Sequence, residues 1–422
     1  MPAEAFRRRQ ERSSNHAAGV MFLKRSDRVL MDTLSYSDFS LRLHHRVVTQ
    51  RLPSTGAIEV TRRCPLKCVH CYNNLPLGDQ AAKSGELSYE EHCHLIDEMT
   101  DAGCLWLLYT GGEIFARKDF LDIYTYAKKK GLLITLFTNG ILITPEIANY
   151  LAEWRPFCIE ISLYGRTRET YEQITGVEGS FEKVMRGIRL LIERGLPLKL
   201  KTVVMARNKH EIWEIKRFVE EELRLEFKFD AMINPCIDCS QKPLAVRLSP
   251  EEVVEFDVKD PKRMTEWRRF AEKFSGPVST HELYQCGGGI NSFAIDPYGM
   301  LRICVLSCGG SYDLRKGSFR DGWENFIFHI RHQQITKETK CVSCEIKALC
   351  GMCPANGELE NRDGEEPVDF LCQVAHLRSK ALGMPVKPHG ECKYCGTQER
   401  PTGLEDGGAS RKARLEDRPY GS

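Results

Sequence analysis

Between residues 57 and 233 the sequence changes period six times, and that alternation limits the fold more than any other feature. Short apolar runs at 57–60, 105–109, 132–137, 157–163, 198–204 and 227–233 read as strands, and amphipathic stretches separate them. Several of the helices carry end signals. Ser88 followed by Glu91 is a capping box opening a helix that runs to Gly103, and Phe120, Ile123 and Tyr126 recur at helical intervals. Thr144 with Pro145 opens another helix, residues 180–195 form one that ends in glycine, and Asn208 with Glu211 reads as the cap of a further one. Parallel strands need crossover connections, so six strand–helix units predict a parallel sheet covered by helices. Periodicity leaves open whether that sheet closes into a barrel.

The turn after the first strand carries Cys64, Cys68 and Cys71, three thiols within eight residues. Three thiolates on one loop can hold three corners of a cubane iron–sulfur cluster and leave the fourth iron open, as a metal that does chemistry requires. A zinc knuckle and unrelated surface thiols are the alternatives. Zinc motifs repeat CxxC pairs, which the x3-then-x2 spacing does not.

With Tyr72 directly following, this CxxxCxxC array resembles that of the radical SAM enzymes. The resemblance implies a partial (β/α)6 barrel of the TIM type, followed here by a small cysteine-rich α+β SPASM domain. It implies that Cys64, Cys68 and Cys71 ligate a catalytic 4Fe-4S cluster. The open iron of that cluster would chelate S-adenosylmethionine (SAM), and electron transfer would cleave it to a 5′-deoxyadenosyl radical. In barrels of this kind the site lies at the carboxyl ends of the strands. Gly111, Gly112 and Glu113 end the second strand and match the family's GGE motif, in which backbone and carboxylate hold the amino group of SAM. Glycine permits close backbone approach to a ligand and a carboxylate complements an ammonium. Ile114 stands where the family often has proline. By the same resemblance Asn139 in the Thr138-Asn139-Gly140 turn, Ser162 at the end of strand four and Met205 at the end of strand five contact SAM; for Asn139 and Met205, turn and core roles stay open. Past strand six, Cys236 and Cys239 form a CxxC pair, and Asp230 and Asp238 are candidate general bases.

A second thiol constellation follows. Residues 293–295 and 301–303 pair by pattern across Asp296-Pro297-Tyr298-Gly299 as a hairpin delivering Cys304. Around it stand Cys286, Cys308, Cys341, Cys344, Cys350, Cys353 and Cys372, a density that implies metal. The order resembles the SPASM extension, which holds two auxiliary 4Fe-4S clusters. That resemblance assigns Cys341, Cys344, Cys350 and Cys372 to one cluster, and Cys286, Cys304 and Cys353 to the other with Cys308 as the fourth ligand. Two residues, Gly351 and Met352, separate the last central pair where the family commonly has three. His389, Cys392 and Cys395 form a possible small metal site in a segment that otherwise reads as mobile. Cys93, Cys104 and Cys158 fall on helix or strand patterns and read as buried small hydrophobes.

The expected organisation is an N-terminal extension over 1–54, a radical SAM core over 55–240, linker helices over 241–282, a SPASM domain over 283–380 and a mobile tail over 381–422. A length of 422 residues suits about two to three domains. A formal charge of +2 gives no basic stripe for nucleic acid or an anionic membrane, and no apolar run reaches the length of a spanning helix. Clustered thiols without a secretory signal place the chain in a reducing cytoplasm. The family resemblance implies a peptide or protein substrate, an electron donor such as flavodoxin or ferredoxin, and a leader-peptide-binding partner. A small metabolite such as a tetrapyrrole is the alternative substrate. A non-catalytic iron–sulfur electron carrier and a zinc-binding nucleic-acid module are the alternatives from other classes.

Overall fold

Strand β1 (Thr55–Thr61) is the centre of the architecture. On one side it pairs in parallel with β4 (Trp106–Gly111), and β5 (Leu133–Thr138), β6 (Cys158–Ser162), β7 (Leu198–Val203) and β8 (Glu226–Asp230) follow in order, all parallel. These six strands match the six runs read from the sequence. In this computed structural model the described residues are 36–274, 276 and 281–395; most of the expected N-terminal extension and the segment from Gly396 lie outside them. The chain divides into two units, residues 1–45 with 412–422 and residues 46–411. Of the first unit only 36–45 are described, the beginning of helix α1 (Tyr36–Thr49).

The crossovers are helices whose ends the sequence marks. In α3 (Tyr89–Asp101), which follows the short α2 (Gln80–Gly85), Ser88 and Glu91 form the expected capping box. After α4 (Phe120–Lys129) comes α5 (Pro145–Glu153), capped by Thr144, and then α6 (Arg168–Thr175) and α7 (Ser180–Glu193). Helix α8 (Ile212–Arg217) departs from expectation: neither Asn208 nor Glu211 caps it with a side chain. Glu211 instead accepts hydrogen bonds from the Arg166 amide, the Thr167 amide and hydroxyl, and the Thr170 hydroxyl, holding the start of α6. Asn208 accepts from the Met205 amide and donates to the Tyr164 and Val203 carbonyls. Four donors gathered around the entry to α6 outcompete a single helix end for the carboxylate.

The sheet stays open, with β8 at one edge. On the far side of β1, strand β9 (Ser292–Ile295) pairs in parallel, Ile58 against Ile295. The predicted hairpin then turns back as β10 (Met300–Arg302), and β11 (Tyr312–Asp313) completes a sheet of nine strands among the described residues. Thus the hairpin that delivers Cys304 extends the same sheet whose β1 delivers Cys64. Farther along, α9 (Pro250–Lys259) and α10 (Pro261–Phe274) pack near the helix Asp369–Ala381. Asp257 on α9, 1% exposed, accepts from Arg263 and from Arg378 of that last helix at 2.6 and 2.8 Å. A buried pair of this kind fixes register more than it adds net stability. No helix among the described residues is long and apolar enough to cross a membrane.

Candidate active site

The cysteine loop is built as a closed unit. At its base β2 (Arg63–Cys64) pairs with β3 (Leu75–Pro76), and a register slip between Glu59 and Thr61 lets the chain leave β1 at this point. The Lys67 and Val69 amides donate to the Thr175 and Ile174 carbonyls at the end of α6, while the Asn74 side chain donates to the Leu66 carbonyl at 2.6 Å. Beneath the loop, the buried Arg63 guanidinium forks onto the Glu86 carboxylate at 2.8 and 2.9 Å. This two-point geometry orients the strand that carries Cys64.

Cys64 is buried, and Cys68 and Cys71 are half-buried. Burial pushes the Cys64 thiol up to about 12, and the charges of Glu113 and Cys71 add to the rise. Cys68 is raised well above the usual thiol range by burial and by Cys71 and Cys64. Cys71 thus opposes ionisation of both Cys64 and Cys68, and Cys64 that of Cys68, a repulsion that a bound metal would offset. The donor set fits an iron–sulfur cluster on that ground. The Leu66 amide and the Asn139 side chain each lie 3.4 Å from Cys64 Sγ, hydrogen bonds of the kind that stabilise a ligating sulfur. Behind the loop, Glu59 accepts from the Tyr72 hydroxyl at 3.3 Å and from the Asn73 side chain. His70, packed edge-on against Tyr164 with 4.6 Å between ring centroids, leaves Nδ1 buried without a partner.

Glu113 is 1% exposed. It accepts from the Thr138 hydroxyl at 2.7 Å, the Asn139 amide at 2.8 Å and the Phe115 amide at 3.2 Å, and forms no ion pair among the described residues. Burial raises its carboxyl to about 7 despite those donors. The two glycines before it also make a close approach within the chain itself. A Cβ on Gly112 would stand 2.5 Å from the Arg62 carbonyl oxygen and 2.6 Å from that of Arg63. Gly111, at φ +128°, abuts the Thr61 carbonyl. The GGE turn is thereby sewn to the start of the cysteine loop, with the Gly112 and Glu113 amides donating to the Thr61 and Arg63 carbonyls at 2.7 and 3.1 Å.

A pH dependence follows from Glu113. Its folded-state value lies above the unfolded one, so the stability it contributes is present at low pH and is lost as pH rises from 4.5 through about 7. For apoprotein, the stability difference between wild type and Glu113→Gln should shift against wild type by about 2 kcal/mol between about pH 5.5 and about pH 8. Urea titrations at the two pH values measure it, and a difference that stays level would remove the assignment.

Asn139 turns back on itself, its Oδ1 accepting from the Ile141 amide at 3.0 Å while its side-chain amide faces Cys64. Ser162, half-buried, ends β6 opposite Lys201. Met205 is fully buried in a small cluster with Ile174, Ile233 and Val246. Asp230 and Asp238 are exposed. The segment 234–239 joins the two thiol groups: Cys236 Sγ reaches the Cys71 carbonyl at 3.6 Å, and Cys308 Sγ reaches the Ile237 carbonyl at 3.4 Å. Cys93, read from the sequence as buried, is only half-buried, whereas Cys104 and Cys158 are buried.

The C-terminal thiols form two groups. Cys286, Cys304 and Cys353 lie close enough for their charges to interact, and Cys304 is pushed up to about 11 mainly by burial. Cys308 stands beside Cys239. Cys341, Cys344, Cys350 and Cys372 line one cavity together with His376 and His389. Residues 382–395 pack in place, with Leu382, His389 and Cys392 buried, although the sequence had suggested a mobile tail. His376 is the member of that region which the sequence did not reveal, because it sits inside a helix with no motif spacing to the other ligands.

An open parallel sheet with three thiols on the loop after its first strand and a buried GGE carboxylate beside them defines the radical SAM class. Residues 58–219 match the family model described as the Radical SAM superfamily, so this part of the chain is a radical SAM domain, and a cysteine-rich C-terminal region follows it. Among curated proteins it is similar to the AdoMet-dependent heme synthase of Methanosarcina barkeri (strain Fusaro / DSM 804), 27% identical and covering 75% of this chain and 95% of the relative. It is also similar to the antilisterial bacteriocin subtilosin biosynthesis protein AlbA of Bacillus subtilis (strain 168), 25% identical over 74% of this chain and 69% of the relative. Streptococcus suis SuiB, in a crystal structure bound to precursor peptide SuiA, shares the fold with a TM-score of 0.63 at 17% identity, over 88% of this chain and 87% of SuiB.

Proposed function

We propose that this radical SAM enzyme modifies a peptide or protein. In this reading residues 55–240 are the catalytic core and 283–380 the SPASM domain. Cys64, Cys68 and Cys71 hold the catalytic 4Fe-4S cluster. Glu113 receives the amino group of SAM, which supplies the positive charge its buried carboxylate lacks, and Tyr72, Asn139, Ser162 and Met205 border the same pocket. When bound, the cluster supplies the electron that cleaves SAM, delivered to it by a flavodoxin- or ferredoxin-like donor. The chain's own contribution is to orient and to exclude water: Asn139 and the Leu66 amide donate to Cys64, and the sewn GGE turn fixes Glu113 at the loop.

The observation that carries the reading is the segment 234–239, which touches the cluster loop through Cys236 and the C-terminal thiols through Cys308. A substrate lying along it meets both thiol groups. Cys341, Cys344, Cys350 and Cys372 make a complete ligand set suited to accepting an electron. Cys286, Cys304 and Cys353 form an incomplete one, suited to binding substrate, unless Cys308 turns from Ile237 to complete it. Similarity to AlbA over three quarters of this chain supports a peptide substrate. Similarity to the heme synthase over nearly all of that protein supports a second reading, a tetrapyrrole substrate.

Anaerobic turnover with SAM and reductant separates the two. A panel of deuterated peptides should include some that accelerate formation of 5′-deoxyadenosine and transfer deuterium into it. Acceleration by iron coproporphyrin III, with none by any peptide, would replace the first reading with the second.

A further inference from the structure

We infer that His376, His389, Cys392 and Cys395 bind one zinc ion in a closed structural site, separate from the iron–sulfur ligands. One ligand atom from each of these four residues lies within 4.8 Å of all the others. A tetrahedral zinc with Zn–S about 2.3 Å and Zn–N about 2.0 Å places sulfur and nitrogen about 3.5 Å apart. The observed separations lie near that value. Cys395 Sγ is 3.6 Å and Cys392 Sγ 3.7 Å from His376 Nε2; His389 Nδ1 lies 3.0 Å from the Lys387 carbonyl, a hydrogen bond that leaves Nε2 as the ligand atom, 3.9 Å from Cys395 Sγ.

The surroundings are those of a metal site. His376 Nδ1 lies 2.8 Å from the Cys372 carbonyl; that hydrogen bond fixes the tautomer and leaves Nε2 facing the two thiols. Cys392 and Cys395 form a CxxC knuckle closed by the Cys395 amide on the Cys392 carbonyl at 3.3 Å. Four protein ligands leave no open position, which marks a structural rather than a catalytic site. Two thiolates with two imidazoles around one centre favour zinc. A two-iron cluster with mixed ligands would set both imidazoles on one iron and both thiolates on the other, which sulfur–nitrogen distances of 3.6 to 3.9 Å contradict.

The site fastens residues 384–395 to the helix Asp369–Ala381, where Lys393 and Tyr394 also bind Asp369 at 2.9 and 2.6 Å. It does so on the wall of the cavity lined by Cys341, Cys344, Cys350 and Cys372. Cys372 Sγ, 3.7 Å from Cys392 Sγ, is the shared edge, so the ion would hold the wall of that cavity in place.

The test is metal analysis of the full chain purified anaerobically from cells grown with both iron and zinc, with zinc-edge X-ray absorption on the same sample. About one zinc per chain is expected, with two sulfur and two nitrogen neighbours. His389→Ala and Cys395→Ser should each lower zinc at least fivefold and leave iron unchanged, whereas Cys372→Ser should lower iron and keep zinc. Wild-type protein without zinc, or zinc with four sulfur neighbours, overturns the proposal. So does a loss of iron in Cys395→Ser, because that residue would then be a cluster ligand. The absorption spectrum of the wild type decides even if every variant fails to fold.

Discussion

Cys64→Ala, reconstituted anaerobically, should hold about four irons fewer per chain than wild type, one 4Fe-4S cluster's worth, and should form no 5′-deoxyadenosine. The expectation rests on position as much as on chemistry. Cys64 is the buried end of β2, tied by Arg63 to Glu86 and faced by the Leu66 amide and Asn139, so no neighbouring thiol can take its place without breaking the ladder to β3. The auxiliary thiols lie on other elements, and the remaining iron should therefore persist. Iron analysis with low-temperature electron paramagnetic resonance of the reduced protein reads both parts. An unchanged iron content would mean that this loop does not hold a cluster.

Gly111→Ala should be the most damaging single substitution for the fold near the site, costing about 4 kcal/mol or more. Two independent penalties combine. The backbone stands at φ +128°, where a side chain is strained, and the new Cβ would collide with the Thr61 carbonyl rather than with a side chain that could swing away. Relief requires β1 and the GGE turn to separate, which would move Glu113 from Thr138 and Asn139. Urea denaturation should show the loss. A variant within about 1 kcal/mol of wild type would contradict the sewn-turn geometry.

Much of this organisation was legible because it is local. Ser88 with Glu91 and Thr144 with Pro145 cap helices through residues a turn apart, and the turn Asp296–Gly299 forms its hairpin with neighbours in sequence. The site motifs share that property: CxxxCxxC and GGE each lie on one loop. What escaped depends on partners far apart in the chain. No pattern in residues 292–295 announces that β9 will pair with Thr55–Ile58, since parallel register is set by packing across more than two hundred residues. Glu211 was misread for the same reason: its distance from Asn208 suggests a local cap, while its actual donors sit on residues 166–170. The packing of the GGE glycines was equally hidden: Gly111 abuts the Thr61 backbone and Gly112 that of Arg62 and Arg63, which only the folded loop brings near. His376 completes a ligand set from a helix interior, where a histidine has no signature.

The most direct test of the central claim is whether wild-type protein, reconstituted anaerobically and given SAM with a strong reductant, releases 5′-deoxyadenosine and methionine. Both products should appear in equal amounts, with release that depends on the reduced cluster and stops in Cys64→Ala. Protein carrying its full iron content that leaves SAM intact, with and without peptide or tetrapyrrole present, would contradict that claim.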